Sequence, residues 1–198
     1  FSIIEIQKLY QNPDPIQAYQ LVEMQKTKVE RRILYEQQLL KKINYIQSLY
    51  HQIKKDKNIE IMTFPISYIL FESKNSDEFF THKIRHITTD EFVLCSIFKK
   101  YDHALNQQAT YVTLETDIAK ELQLSLDLQT INLTKCIHMT CAMDNKTINK
   151  NIVDRLHEYA KIYNLSYESY FLVKEIPLTF YHDKKNYYAE IYLPIINK

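Results

Sequence analysis

Residues 16–53 read IQAYQLVEMQKTKVERRILYEQQLLKKINYIQSLYHQI, a run without proline or glycine in which strong helix formers dominate. Apolar side chains recur at Val22, Val29, Ile33, Leu40, Ile43, Ile46, Tyr50 and Ile53, the three- and four-residue steps of a narrow helical stripe. Pro13-Asp14-Pro15 sets the start: Asp14 can cap, and Pro15 takes a first-turn position that tolerates proline. Lys54, Lys55 and Lys57 suit the negative end of the helix dipole. At ~1.5 Å per residue such a helix spans more than ~50 Å. A stripe this thin does not belong to a helix buried on all sides. It fits a helix that pairs with a copy of itself, or one laid along its own domain. Beyond Asn58 the pattern turns to strand, so this junction divides the chain.

The chain has 198 residues, enough for one sizeable core plus an arm, and a net charge of +1. That balance gives no bulk electrostatic argument for nucleic acid. The apolar runs are short of a membrane span and no signal-peptide pattern opens the chain, so no membrane partner and a cytoplasmic location are expected. There is no glycine at all, where average usage would supply roughly 14 in a chain of this size. This excludes glycine-dependent phosphate loops and dinucleotide fingerprints, as well as the strained nucleophile elbow of many hydrolases. No cofactor is expected. Turns fall to Asn and Asp, as in Lys74-Asn75-Ser76-Asp77 and Asp144-Asn145. The three cysteines, Cys95, Cys136 and Cys141, have no metal-finger spacing and read as reduced. His82 and His86 have i, i+4 spacing but no evident third ligand, so no metal site is expected.

The remaining pattern predicts a short helix over Ser2–Tyr10, capped by Ser2. A strand follows over Ile59–Glu72, with Pro65 marking an edge or a bulge. A helix is predicted over His82–Leu105 from Ile84, Ile87, Leu94, Phe98, Tyr101 and Leu105. Strands come next at Thr110–Glu115 and, after a Leu-rich segment, at Thr134–Ala142. A helix over Lys146–Tyr163 and strands at Tyr170–Tyr181 and Tyr187–Ile195 complete the chain, with His182-Asp183-Lys184-Lys185-Asn186 as the closing turn. The fold class is therefore α+β. A long helix precedes a strand-helix-strand-strand unit, twice over, forming an antiparallel sheet with both helices on one face. The other face is left open.

On the last strand Tyr188, Glu190 and Tyr192 share one side, and Tyr187, Ala189, Ile191 and Leu193 the other. A carboxylate between two tyrosines suits a lipophilic cation, because aromatic faces attract it and the carboxylate neutralises it. A solvent-facing glutamate beside ordinary sheet tyrosines is the alternative. If buried without a cation, Glu190 is expected to have a raised pKa. Tyr68, Tyr111, Tyr170 and Phe171 are further candidates on facing strands, and Glu175 is a second candidate carboxylate.

Two stretches, FSIIEIQKLY (1–10) and NPDPIQAYQLVEMQKTKVERRI (12–33), resemble the last short helix of the DNA-binding domain and the dimerisation helix of MerR-type transcription regulators. The part beyond Ile59 resembles the gyrase-inhibitor-like effector-binding domain of drug-responsive members, best in DRLHEYAKIYNLS (154–166) and YYAEIYLPI (187–195). The resemblance implies residues 1–57 as the remnant of a DNA-binding domain plus a coiled-coil dimerisation helix, and 58–198 as the effector-binding domain. It places the Glu-x-Tyr of Glu190 and Tyr192 on the ligand face. It implies a homodimer through antiparallel long helices, a small aromatic effector that is cationic or neutral, and contact with promoter DNA and RNA polymerase only through a winged-helix part before Phe1. The chain departs from the family in TCAMDNKTINKN (140–151), which has no glycine or aromatic residue before its helix. It also has Thr179, not glutamate, two residues before Tyr181. The expected function is ligand sensing and not catalysis. The alternatives are a small-molecule hydrolase using Glu190 with a tyrosine, or a module that inhibits a partner protein.

Overall fold

The computed structural model describes residues 4, 6, 7, 10, 14–53, 59–74, 87–88, 91–144, 148–176 and 186–196. Ile4, Ile6, Gln7 and Tyr10 have helical backbone. The remainder of the predicted first helix lies outside the described residues.

Helix α1, Pro15–Ile53, runs 39 residues without a break. Its first free amides are met as the sequence suggests, with Ile16 N–H donating to the Asp14 carboxylate at 2.9 Å. The helix has two opposed faces. Leu34, Tyr35, Gln38, Leu39, Lys42, Tyr45 and Leu49 turn toward the rest of the chain. On the far side Val22, Val29, Ile33, Leu40 and Ile43 of the expected stripe stay about half exposed. The helix thus lies on its own domain through a mixed polar and aromatic seam, and its apolar stripe points away.

Among the described residues eight antiparallel strands form one sheet in the order β1-β6-β8-β7-β3-β4-β2-β5. They are β1 (Ile59–Thr63), β2 (Ser67–Ser73), β3 (Ser96–Asp102), β4 (Gln107–Glu115), β5 (Thr130–Ile131), β6 (Lys135–Asp144), β7 (Tyr170–Glu175) and β8 (Asn186–Pro194). The expected duplication is visible in this order. β2, β4 and β3 form one trio and β6, β8 and β7 the other, joined through the β3–β7 pair. The two short strands are exchanged: β1 precedes β2 in the chain but pairs with β6, and β5 precedes β6 but pairs with β2.

That exchange corrects the single strand expected over Ile59–Glu72. The chain breaks at Phe64-Pro65-Ile66 and crosses the sheet. Proline offers no N–H for a ladder, so it fits the crossing better than a strand interior.

A second correction concerns the helix expected over His82–Leu105. Glu91–Leu94 is a single 3-10 turn, and Ser96–Asp102 is a central strand bonded on both sides, to β4 and β7. The three- and four-residue spacing of Leu94, Phe98 and Tyr101 was coincidental. In the strand Phe98 and Tyr101 face opposite ways, and tertiary pairing overrides local helical preference. Much of the earlier part of that segment, including His82 and His86, lies outside the described residues. So do the turns around residues 75–77, 145 and 182–185, and Thr179 and Tyr181.

The Leu-rich segment holds a short helix, α2 (Thr116–Glu121). Helix α3 (Lys150–Ile162) sits within the predicted range and is capped by Asn149, whose side chain accepts from Ile152 N–H at 3.1 Å. It covers one face of the second trio through Ile152, Val153, Leu156 and Ala160, against Ile137, Met139, Phe171, Val173, Ala189, Ile191 and Leu193. Burial of these side chains is the main stabilisation of this half. With no glycine in the chain, left-handed positions fall to Leu105, Gln123 and Asn164, at φ of 68°, 57° and 51°. Gln123 and Asn164 end α2 and α3 in paired C-terminal bonds: Leu124 N–H to Ala119 O with Gln123 N–H to Lys120 O, and Leu165 N–H to Ala160 O with Asn164 N–H to Lys161 O.

Candidate functional site

The opposite sheet face, turned toward α1, carries the charge. Glu190 sits in the middle of β8, opposite Thr140 on β6 and Lys174 on β7. Directly opposed residues on antiparallel strands share a face, so these three side chains form one row. The next row is His138, Tyr192 and Leu172. The alternation read from the last strand holds, since Ala189, Ile191 and Leu193 fill the α3 core while Glu190 and Tyr192 face away from it.

Glu190 is only 1% exposed. Three donors converge on its Oε1: Tyr192 Oη at 2.9 Å, His138 Nε2 at 3.1 Å, and the hydroxyl of Tyr45 from α1. A carboxylate only accepts, so His138 Nε2 carries a proton in this contact. The Lys174 ammonium stands 3.4 Å from Oε2 and 4.8 Å from the centre of the Tyr45 ring. Among the described residues no hydrogen bond reaches Oε2 or the buried hydroxyl of Thr140. Lys174 is thus an ion-pair partner without a directed bond.

Burial pushes the Glu190 pKa up, but the His138 hydrogen bond, the Lys174 charge and the Tyr45 hydroxyl outweigh it and hold the carboxyl at about 2. The raised pKa expected for an empty site is therefore corrected: the chain supplies its own cation and donors. Burial and the nearby Glu190 charge push the Tyr45 and Tyr192 phenols upward, so both stay protonated donors. Glu60 on β1, with a side chain 56% exposed, lies 3.4 Å from His138 Nδ1. A line of polar groups, Glu60–His138–Glu190, therefore leads from solvent to the buried carboxylate.

An aromatic cluster backs this row. Tyr192 meets Phe64 edge-on at 5.2 Å and Phe98 at 5.9 Å between ring centres. Tyr111 and Tyr170 pack on the same cluster, and Lys100 stands 4.1 Å above the Tyr170 ring. The structure thus gathers Glu190, Tyr192, Tyr170 and Tyr111 on one face, with half-buried Tyr188 on the same side of β8. Three expected neighbours are elsewhere. Phe171 and Glu175 occupy the alternate positions of β7, so Phe171 is buried in the α3 core and Glu175 pairs with Lys99. Tyr68 packs on the separate cluster around Val112, Leu114 and Leu122.

Tyr45, His138, Thr140 and Lys174 were missed. His138 and Thr140 were within reach of the sequence, because Cys136, His138 and Thr140 alternate with apolar Ile137, Met139 and Cys141. Tyr45 belongs to the second seam of α1, whose polar members hid it. Lys42 lies on that seam and donates to the carbonyls of Val93 and Cys95, both at 2.7 Å.

Among the described residues none of the cysteines is an activated nucleophile. Burial pushes the Cys95 and Cys136 thiols up to about 12 and Cys141 to about 11, which leaves all three inert near neutral pH. Among the described residues no group of three or more His, Cys, Asp or Glu side chains is placed to hold a metal ion. No described helix is long and apolar enough to cross a membrane.

No protein-family model and no curated protein sequence matches the chain. Several solved structures are similar. A hydrolase of Listeria innocua is 9% identical over 74% of this chain and 97% of its own, at a TM-score of 0.46. SAV2435 bound to tetraphenylphosphonium is 11% identical over 71% and 95%, at 0.35. EcmrR, in a complex with DNA, is 16% identical over all of this chain and 78% of its own, at 0.44. Identities this low concern the fold alone.

Proposed function

We propose that this chain is the ligand-sensing and dimerisation region of a MerR-type transcription regulator and that a small aromatic effector binds at Glu190. In this reading residues 1–57 are the end of the DNA-binding part plus the pairing helix, and 58–198 are the effector-binding domain. The observation that carries it is the bond from Tyr45 to Glu190, which ties the most buried carboxylate of the sheet to the long helix. A ligand that donates to Glu190 Oε2 draws on the same carboxylate charge as Tyr45 on Oε1 and so weakens the Tyr45 bond. Its differential affinity for the tied and untied states then biases the setting of α1. Two α1 helices would pair antiparallel through the exposed Val22, Val29, Ile33, Leu40 and Ile43 stripe, passing that bias to DNA-binding parts and so to promoter and polymerase.

The electrostatics favour binding over hydrolysis. A carboxylate held at about 2 is a poor general base near neutral pH, and protonated phenols are poor nucleophiles. Glu190 is instead a fixed acceptor, with Oε2 and the Thr140 hydroxyl still free of hydrogen bonds among the described residues.

Calorimetric titration with three probes tests the reading: tetraphenylphosphonium, tetraphenylborate, and 2-naphthol as a neutral aromatic donor. At least one should bind, and Glu190→Gln should weaken 2-naphthol about tenfold or more, the loss of a hydrogen bond to a charged acceptor. Absence of binding by all three, or affinities indifferent to Glu190→Gln, would remove Glu190 from any effector site.

A further inference from the structure

We propose that Lys174 is the charge-selecting residue of the Glu190 site: a tethered cation that holds the place a ligand cation would take and turns the site toward neutral aromatic hydrogen-bond donors. The inference rests on the effector-site reading above and specifies which ligands it admits.

An organic cation is recognised by a carboxylate and by the face of an aromatic ring. Lys174 already has both. Its ammonium is 3.4 Å from Glu190 Oε2 and 4.8 Å from the Tyr45 ring centre, on a side chain only 12% exposed. It belongs to the fold, since β7 pairs with β8 and places it directly opposite Glu190. A cationic ligand would have to expel this ammonium or share one carboxylate with it.

A second lysine adds to the barrier. Lys42 is held nearby by the carbonyls of Val93 and Cys95. Its pKa is pushed down to about 8, first by burial and then by the charge of Lys174. The two ammoniums already repel one another, so a third positive charge is disfavoured in the same partly dry space.

A neutral donor meets a different situation. Among the described residues Lys174 makes an ion pair with Oε2 but no hydrogen bond to it, and Thr140, on the far side of Glu190 in the same row, has an unbonded buried hydroxyl. A phenolic O–H or an indole N–H can bond to Oε2 while the ammonium keeps its charge contact. The Thr140 hydroxyl can donate to or accept from the same ligand.

The experiment compares tetraphenylphosphonium and tetraphenylborate, which share a shape and differ in charge, on the full chain and on Lys174→Met. Binding of 2-naphthol reports that the site is intact. Lys174→Met should raise the affinity for tetraphenylphosphonium about tenfold or more relative to tetraphenylborate, in line with the coupling of close charge pairs. Continued binding of 2-naphthol shows only that the site is still formed, since its donor contact does not use the ammonium. If Lys174→Met melts too low to assay, Lys174→Gln removes the charge, keeps a donor, and should shift the ratio the same way. An unchanged ratio in variants that still bind 2-naphthol overturns the role of Lys174 and leaves the effector site standing. If neither ion nor 2-naphthol binds the unaltered chain or any variant, the effector-site reading falls and this proposal with it.

Discussion

Tyr45, on the helix that precedes the sheet, donates its hydroxyl to Glu190, on the last strand, 145 positions further along the chain. The bond crosses the boundary between the two expected parts of the protein. Its acceptor is buried and ionised, so it is a charge-assisted bond of the stronger kind. It also fixes the ring over which Lys174 stands.

Removing that hydroxyl should loosen the helix without unfolding the sheet. Tyr45→Phe keeps the ring and deletes the donor, while His138 and Tyr192 still serve Glu190. A loss of about 1.5 kcal/mol is expected, which corresponds to a fall in Tm of roughly 3–6 °C for a chain of this size. Hydrogen exchange should rise in α1 more than in β6 or β8. Uniform exchange in both parts would show that the bond does not hold the helix.

Acid should act on Glu190 in a defined direction. The group titrates near 2 in the folded chain against an ordinary 4.5. The unfolded chain therefore takes up the proton first as pH falls. The stabilisation is complete above about 4.5 and drains away between there and about 2. Urea unfolding of the unaltered chain and of Glu190→Gln, measured from neutral pH to about pH 3, should give curves that converge as pH drops. A constant gap between the two would mean that Glu190 is not ionised in the fold.

The outward stripe of α1 should join two copies. Ile33, Leu40 and Ile43 are each more than half exposed on a helix whose opposite side is already occupied. Light scattering at micromolar concentration should give about twice the 23.8 kDa chain mass. Leu40→Glu places a charge in the stripe and should return the monomer with helix content retained. A monomeric unaltered chain with intact helix would sink the pairing.

Gln123 is a site where the absence of glycine carries a cost. Its φ of 57° is left-handed, a conformation that burdens any residue with a Cβ. Gln123→Gly should stabilise the chain by about 0.5–1 kcal/mol, the strain relieved less the extra freedom of the unfolded chain. Chemical denaturation measures this directly, and a destabilised variant would show that the Gln123 side chain makes contacts that outweigh the strain.

Local patterns in this chain carried much of the architecture. An unbroken run of helix formers is a one-dimensional signal, and α1 follows it from Pro15 to Ile53. The alternation in β8 is equally local, and it correctly put Glu190 and Tyr192 on the side away from Ala189 and Ile191. Ser96–Asp102 went the other way, because a strand bonded on both sides takes its stability from distant partners. Pro65 marked a break, but only the crossing of the sheet shows what it separates.

The sequence by itself therefore determined the long helix, the α+β class and a carboxylate flanked by tyrosines on one face of the last strand. Each depends on steps of two to four residues, the repeat distances of backbone structure. Only the tertiary structure decided that Glu190 is ionised, that Tyr45 reaches it, and that the Lys174 ammonium stands beside it. Those facts depend on the order in which β6, β8 and β7 lie side by side and on where α1 crosses them. Charge and burial act through space over a few ångströms, and no spacing along the chain encodes which distant side chains come within that range.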